Sequence, residues 1–281
     1  MDLSAIGKQL GPSIREYDEK DVIFYNLSIG AQPEDSLEFV YENAPGGLRV
    51  IPSFGVLFGH ELQPELASVL KLDPLRSIHG EHSLRVHRPL PPHGKTSTTL
   101  TVENIYDKRK AALIITRVET KDEEGECLVE NVAVTFYVGG GGFGGDPGPR
   151  AERIEAPQGA EPEFRVAYQT AENQAALYRL NGDMNPLHID PAGAKTAGFD
   201  RPILHGLCTF GFATRAIVEG ACGGDVARFR ELRTRLSEVV FPGETLITEG
   251  WKDKGNQGRY IIQTRTERAV VLSNAYAVID S

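Results

Sequence analysis

The sequence predicts an α+β fold built twice, and three observations predict it. Long stretches alternate apolar and polar residues, as in "ALIITRVET" (112–120) and "LVENVAVTF" (128–136), the period of strands with one buried face. The stretch "HGLCTFGFATRAIVEG" (205–220) is apolar on nearly every face except at Arg215 and Glu219, the mark of a helix enclosed on several sides. Finally, similar pieces recur in the same order in both halves of the chain. Thus "YDEKDVIFYNLSIG" (17–30) parallels "YQTAENQAALYRLNGD" (168–183), aligning Tyr25 with Tyr178, and "PSFGVLFG" (52–59) parallels "PILHGLCTFG" (202–211). "VHRPLPPHGKTSTTL" (86–100) then matches "SEVVFPGETLITEG" (237–250), and the two strands above match "YIIQTRTE" (260–267) and "VLSNAYAVI" (271–279). Each half therefore reads as a short helix, a loop, a longer apolar helix and three or four long strands, with a sheet wrapped around the buried helix.

Between the halves lies the densest Gly/Pro stretch, 139–164, which reads as a linker separating an N-terminal unit 1–138 from a C-terminal unit 165–281. Its G-x-G-x-x-G spacing (Gly139, Gly141, Gly144) runs into Asp146-Pro147-Gly148-Pro149 and not into a helix, so no nucleotide loop is expected. The 281 residues are 40% hydrophobic, ample for a core, and carry a net charge of −9 with no basic cluster, which argues against a nucleic-acid partner. No apolar run reaches membrane-spanning length, the first residues do not resemble a secretory signal, and "YAVIDS" is not an S-K-L address. Cys127, Cys208 and Cys222 lack metal or redox spacing and suit a reducing compartment. A soluble cytoplasmic protein without a membrane partner is expected.

The chemistry concentrates in "NGDMNPLHID" (181–190). A helix over 172–180 should stop at Asn181-Gly182, and Pro186 forces Asn185 out of helical geometry. Asp183 and His188 then sit on a stiff irregular loop where both can reach one small molecule, an acid/base pair with Asn185 as a neutral hydrogen-bonding partner. His205 and Gly206 open the buried helix, where free N–H groups favour developing negative charge, such as the enolate of a thioester. The Asp183-x-Asn185 spacing lacks the remaining ligands of a calcium loop, and His188, Asp190 and His205 have no zinc spacing, so no metal is expected.

Taken whole, "YRLNGDMNPLHIDPAGAKTAGFDRPILHGLCTFGF" (178–212) resembles the signature of the type 2 enoyl-CoA hydratases, a MaoC-like hot-dog family, and "PSFGVLFG", "HGEHSLRVHRPLP", "GGFGG" and "FPGETL" extend the likeness along most of the chain. The resemblance implies a double hot-dog: two halves sharing one continuous sheet, the second catalytic, the first shaping a tunnel for the acyl tail with residues near 40–60. It also implies cofactor-free, reversible hydration of trans-2-enoyl-CoA to (3R)-3-hydroxyacyl-CoA in fatty acyl-CoA metabolism, and a homodimer. Asp183, Asn185 and His188 match the residues that hold the water, and Gly206 matches the backbone donor to the thioester oxygen. Ligand contacts fall on His79, Gly80, Lys108, Met184, Pro186, Leu187 and Leu236, the last standing where many members carry Phe. Glu42 matches an acidic residue and is expected to make a structural hydrogen bond. The first half has Ile29-Gly30 and Phe54-Gly55 where the second has Gly182-Asp183 and His205-Gly206, so one active site per chain is expected. The competing readings are a hot-dog acyl-CoA thioesterase and a non-catalytic acyl-CoA-binding protein.

Overall fold

In the computed structural model, which describes residues 1–150 and 152–281, the alternating stretches form strands that end at charged or Gly/Pro turns. The first half supplies β1 (Gln9–Tyr17), β2 (Ser77–Val86), β3 (Gly94–Asp107), β4 (Ala111–Lys121) and β5 (Cys127–Val138). From the second come β6 (Phe164–Gln169), β7 (Phe229–Leu236), β8 (Thr245–Lys252), β9 (Arg259–Arg265) and β10 (Val270–Ile279). All ten form one antiparallel sheet in the order β1-β3-β4-β5-β2-β7-β10-β9-β8-β6. Adding five to each strand of the first half reproduces the second half in mirror order, which is what a duplicated unit closed about a pseudo-twofold axis produces. That axis passes between β2 and β7, which pair from Glu81↔Arg235 to Arg85↔Glu231. The repeat-equivalent Tyr25 and Tyr178 meet across it, ring centroids 6.2 Å apart.

Each half contributes five strands where the sequence reading expected three or four. The additional ones, β1 and β6, are the two sheet edges; β1 is mostly exposed, β6 is only six residues long and follows the Gly/Pro stretch, and Pro12 suits an edge without ladder bonds on one side.

The helices are α1 (Glu19–Ser28), α2 (Pro33–Ser36), α3 (Gln63–Leu70), α4 (Gln174–Tyr178), α5 (Pro191–Thr196) and α6 (Gly206–Gly220). Every residue of α6 from Cys208 to Val218 is buried, and the main core around it takes side chains from both halves, including Tyr25, Phe54, Phe210 and Phe212. The first half departs from the repeat. "PSFGVLFG" forms a 3-10 helix, Pro52–Leu57, not an α-helix: Gly55 lies within it and Gly59, at φ 80°, turns the chain away just after it; the helix proper comes later, as α3. Leu62, Leu66 and Leu70 pack a second, smaller core against Leu100, Val102, Ile114 and Val118 of this half alone.

The glycine seam is more than a spacer. Asp107, at the end of β3, accepts the N–H groups of Arg109 and Gly142 on one carboxylate oxygen and that of Gly144 on the other. Those bonds, Gly142 first, hold its pKa below the ordinary carboxylate value. The cradle that resembled a phosphate loop in sequence is thus closed by the chain's own carboxylate.

Candidate active site

Three elements bring the site together. The first is the loop that follows α4. The helix is shorter than expected: after Tyr178 it tightens into a 3-10 turn, Arg179–Asn181, and Gly182 turns the chain out with φ 130°. The Asp183 carboxylate accepts the Asn185 N–H at 3.2 Å, and the Asn185 carboxamide oxygen accepts the Leu187 N–H at 3.0 Å, capping the 3-10 turn Pro186–His188. Asn185 therefore acts as a local cap, with its side chain otherwise exposed, and Pro186 fixes the turn it caps. His188 is buried, and its Nδ1 lies 2.9 Å from the Ile203 carbonyl. A carbonyl only accepts, so Nδ1 carries the proton and Nε2 presents a lone pair. Burial lowers the His188 pKa, which keeps the ring neutral at pH 7.

The second element is the start of α6. His205, 1% exposed, is its N-cap residue and stacks on His188 with ring centroids 3.7 Å apart. Its Nε2 donates to the Asp183 carbonyl at 3.2 Å, while Nδ1 is enclosed without a protein partner among the described residues. Burial and the neighbouring His188 push its pKa down against the opposing pull of Asp183. The N–H groups of Gly206 and Leu207 have no partner among the described residues, so they and the dipole of this 15-residue helix face the site. A Cβ on Gly206 would stand 2.8 Å from Leu236 Cδ1, so a larger residue there would have to displace the Leu236 side chain at the end of β7. Leu236 is thereby placed beside the donor, through its side chain.

The third element is the start of β2. The β2–β5 register shifts between His79 and Glu81, a bulge at Gly80, where a Cβ would lie 2.2 Å from the Phe136 ring. The bulge turns His79 to the face of His82, with ring centroids 5.2 Å apart. His82 donates from Nε2 to Asn131, whose amide in turn donates to the Gly55 carbonyl. Desolvation takes the pKa of His79 to about 4 and that of His82 to about 3, and the Asp183 charge acts on His79 in the opposite direction.

Asp183, His188, His205, Gly206, Leu236 and His79 thus converge. Pro186 and Met184 are exposed on the loop, Met184 at 54%, and Leu187 is half-buried. Lys108 stands on the exposed β3–β4 turn, where its ammonium is held by the Pro147 carbonyl. Glu42 is exposed and accepts from Asn43 at 3.0 Å. A 210 Å³ cavity reaches His188 between Glu172, Asn173 and Arg201; a larger groove of 910 Å³, beside residues 152–158 and Arg235, contains no other residue expected at the site. His205 as a stacking partner of His188 is the site residue that sequence reasoning underused; its place as the cap of α6 was the available signal.

The donor atoms of Asp183, His188 and His205 lie within 4.8 Å of one another, a set able to reach a metal ion. Stacked imidazoles, however, direct their in-plane lone pairs side by side and not to one tetrahedral centre. The arrangement fits a small hydrogen-bonding molecule better: a carboxylate and a neutral imidazole lone pair, next to a helix N-terminus aimed at an oxyanion.

Comparison with known proteins agrees with this geometry. Residues 15–139 match the family model of the MFE-2 hydratase 2 N-terminal domain, and residues 153–274 match that of the MaoC like domain. The chain is 37% identical to a probable enoyl-CoA hydratase 2 of Dictyostelium discoideum, over 98% of this chain and 95% of that protein. It is 38% identical to the peroxisomal multifunctional enzyme type 2 of Mus musculus, again over 98% of this chain but spanning only 38% of that longer protein. The crystal structure of a MaoC-like dehydratase from Phytophthora capsici superposes with a TM-score of 0.87 at 31% identity, covering 99% of this chain and 97% of the other. Duplicated topology, the Asp183–His188 loop and likeness over the full length lead to one conclusion: the chain belongs to the MaoC-like family of type 2 enoyl-CoA hydratases.

Proposed function

We propose that this protein is a hydro-lyase that reversibly adds water to trans-2-enoyl-CoA, giving (3R)-3-hydroxyacyl-CoA in fatty acyl-CoA metabolism. The observation that carries the reading is the neutral His188 lone pair beside the Asp183 carboxylate at the N-terminus of α6. Water held between Asp183 and His188 delivers its oxygen to C3. The electron pair of the C2–C3 double bond moves toward the thioester oxygen, where the Gly206 N–H stabilises the enolate, a donor type worth ~2.7–4 kcal/mol. The acid/base pair takes one proton from the water and returns one to C2, so the chain ends the cycle unchanged. No cofactor enters this scheme; CoA arrives as part of the substrate.

The N-terminal half serves the acyl tail and carries no second site. Gly30 stands at the counterpart of Asp183, and Phe54, at the counterpart of His205, is wholly buried in the core. Activity confined to four-carbon substrates would count against an acyl role for this half. We further infer a homodimer, on family likeness, and a reducing compartment such as the cytoplasm, supported by the free state of all three cysteines. No helix among the described residues is long and apolar enough to cross a membrane.

The reading is tested by following loss of the conjugated thioester absorbance of trans-2-decenoyl-CoA while a thiol reagent watches for free CoA, which a thioesterase would release. The pH profile is a second expected result. Protonating His188 removes its lone pair, and burial lowers its pKa, so kcat/KM should stay level through neutrality and fall only below the ordinary histidine value of 6.5. An acid limb centred above 6.5 contradicts this assignment.

A further inference from the structure

Ser28 ends α1, in the half that carries no catalytic residue, and is 1% exposed. Three groups of the other half converge on it. Asn181 Nδ2 donates to its hydroxyl at 2.8 Å, Gln174 Nε2 donates to its carbonyl at 2.6 Å, and the Cys208 thiol donates to the same carbonyl at 3.6 Å. Those donors belong to the catalytic loop, to α4 and to the first turn of α6, the segments that carry or flank Asp183 and Gly206. The direction of the first bond is fixed, because the Ser28 hydroxyl spends its proton on the Tyr25 carbonyl at 2.7 Å and can only accept from Asn181. Asn181 Nδ2 also donates to the Tyr178 carbonyl at 2.9 Å, which ties the end of α4 to the same point.

The first half meets the loop at a second point. A Cβ placed on Gly182 would lie 3.2 Å from the His60 ring, so His60 rests against the backbone immediately before Asp183. The loop is therefore met at two successive residues by the half that lacks catalytic groups, two residues ahead of the carboxylate by Ser28 and one residue ahead by His60.

We propose that Ser28 is a positioning residue for the hydration reaction: through Asn181 it sets the place of Asp183 relative to His188 and the α6 N-terminus. This rests on the reading of Asp183 as part of the acid/base pair. Its physical basis is that a reacting group displaced by about 1 Å can lose on the order of 10²-fold in rate, so an anchor outside the chemistry can govern kcat. On this account the first half retains a catalytic duty after losing its own site.

The test compares Ser28→Ala, Asn181→Ala and the double variant in the full-length protein, with enoyl-CoA kinetics per folded molecule and amide hydrogen exchange of residues 183–188. Each single variant should lose about tenfold or more in kcat with KM changed less than about twofold. The double variant should fall little further than the worse single one, because both remove the same bond. Exchange of the loop amides should quicken by roughly tenfold. A contact that only supports the fold would lower Tm and leave kcat per folded molecule near wild type; that outcome, or losses that multiply, overturns the proposal. Should Ser28→Ala fail to fold, Asn181→Ala decides from the loop side, since Asn181 is only half-buried. An inert wild type overturns the hydratase reading, whereas unchanged exchange in both variants overturns the anchor by itself.

Discussion

Replacing Asp183 by Asn is expected to lower hydration by about 10³-fold while leaving the fold intact. The substitution keeps the size of the side chain and an oxygen that can still accept the Asn185 N–H, so the loop geometry survives. What disappears is the negative charge that, on the proposed mechanism, holds the water and shares the proton with His188. The loss corresponds to roughly 4 kcal/mol of transition-state stabilisation, within the range that a general acid or base supplies. It should appear in kcat, since the substitution removes charge and leaves the shape of the loop in place, and Tm should stay close to that of wild type. Retention of more than about a tenth of the activity would remove Asp183 from the chemistry.

Arg215→Ala should produce the largest loss of stability, about 3 kcal/mol, or some 6–12 °C in Tm. Arg215 is, with Glu219, one of two charged residues on the otherwise apolar α6, and only 6% of its side chain is exposed. Its guanidinium donates to the Gly30 carbonyl, to Asp35 and to the Ser36 hydroxyl, and lies 4.0 Å from the Tyr168 ring centroid. The substitution strips a charge-assisted bond from Gly30, a cation–π contact and the packing of a long stem. These contacts join α6 to the turn that replaces the catalytic loop in the first half, so the loss falls on the junction between halves. A thermal shift under about 2 °C would show that the tie is worth no more than an exposed ion pair.

The sequence was most legible where one short segment carries its own physics. Alternation marked the central strands, unbroken apolarity marked α6, and the Asn-Gly and Asn-Pro pairs marked a rigid loop. Internal similarity gave the duplication, and the meeting of Tyr25 with Tyr178 is its spatial consequence. Features that depend on how distant segments meet were not legible. Ser28 and Asn181 are 153 residues apart, and nothing local in "NLSIG" announces a partner. The same holds for His60 against Gly182, and for Asp107 inside the glycine seam, which reads locally as a linker. Edge strand β1 escaped because a strand paired on one side and largely exposed needs little alternation, and β6 because its six residues are short and adjoin the Gly/Pro stretch. The 3-10 path of Pro52–Leu57 was misread by analogy with its repeat partner, where Phe210 stands in place of Gly59 and the helix runs on.

The most direct test of the central claim is to incubate the purified wild-type protein with trans-2-decenoyl-CoA in the presence of EDTA and resolve the product by configuration. The account predicts rapid conversion to an equilibrium mixture containing (3R)-3-hydroxydecanoyl-CoA, with no free CoA released and no dependence on added metal. Formation of the (3S) alcohol, release of free CoA, or substrate that binds without turning over would contradict it.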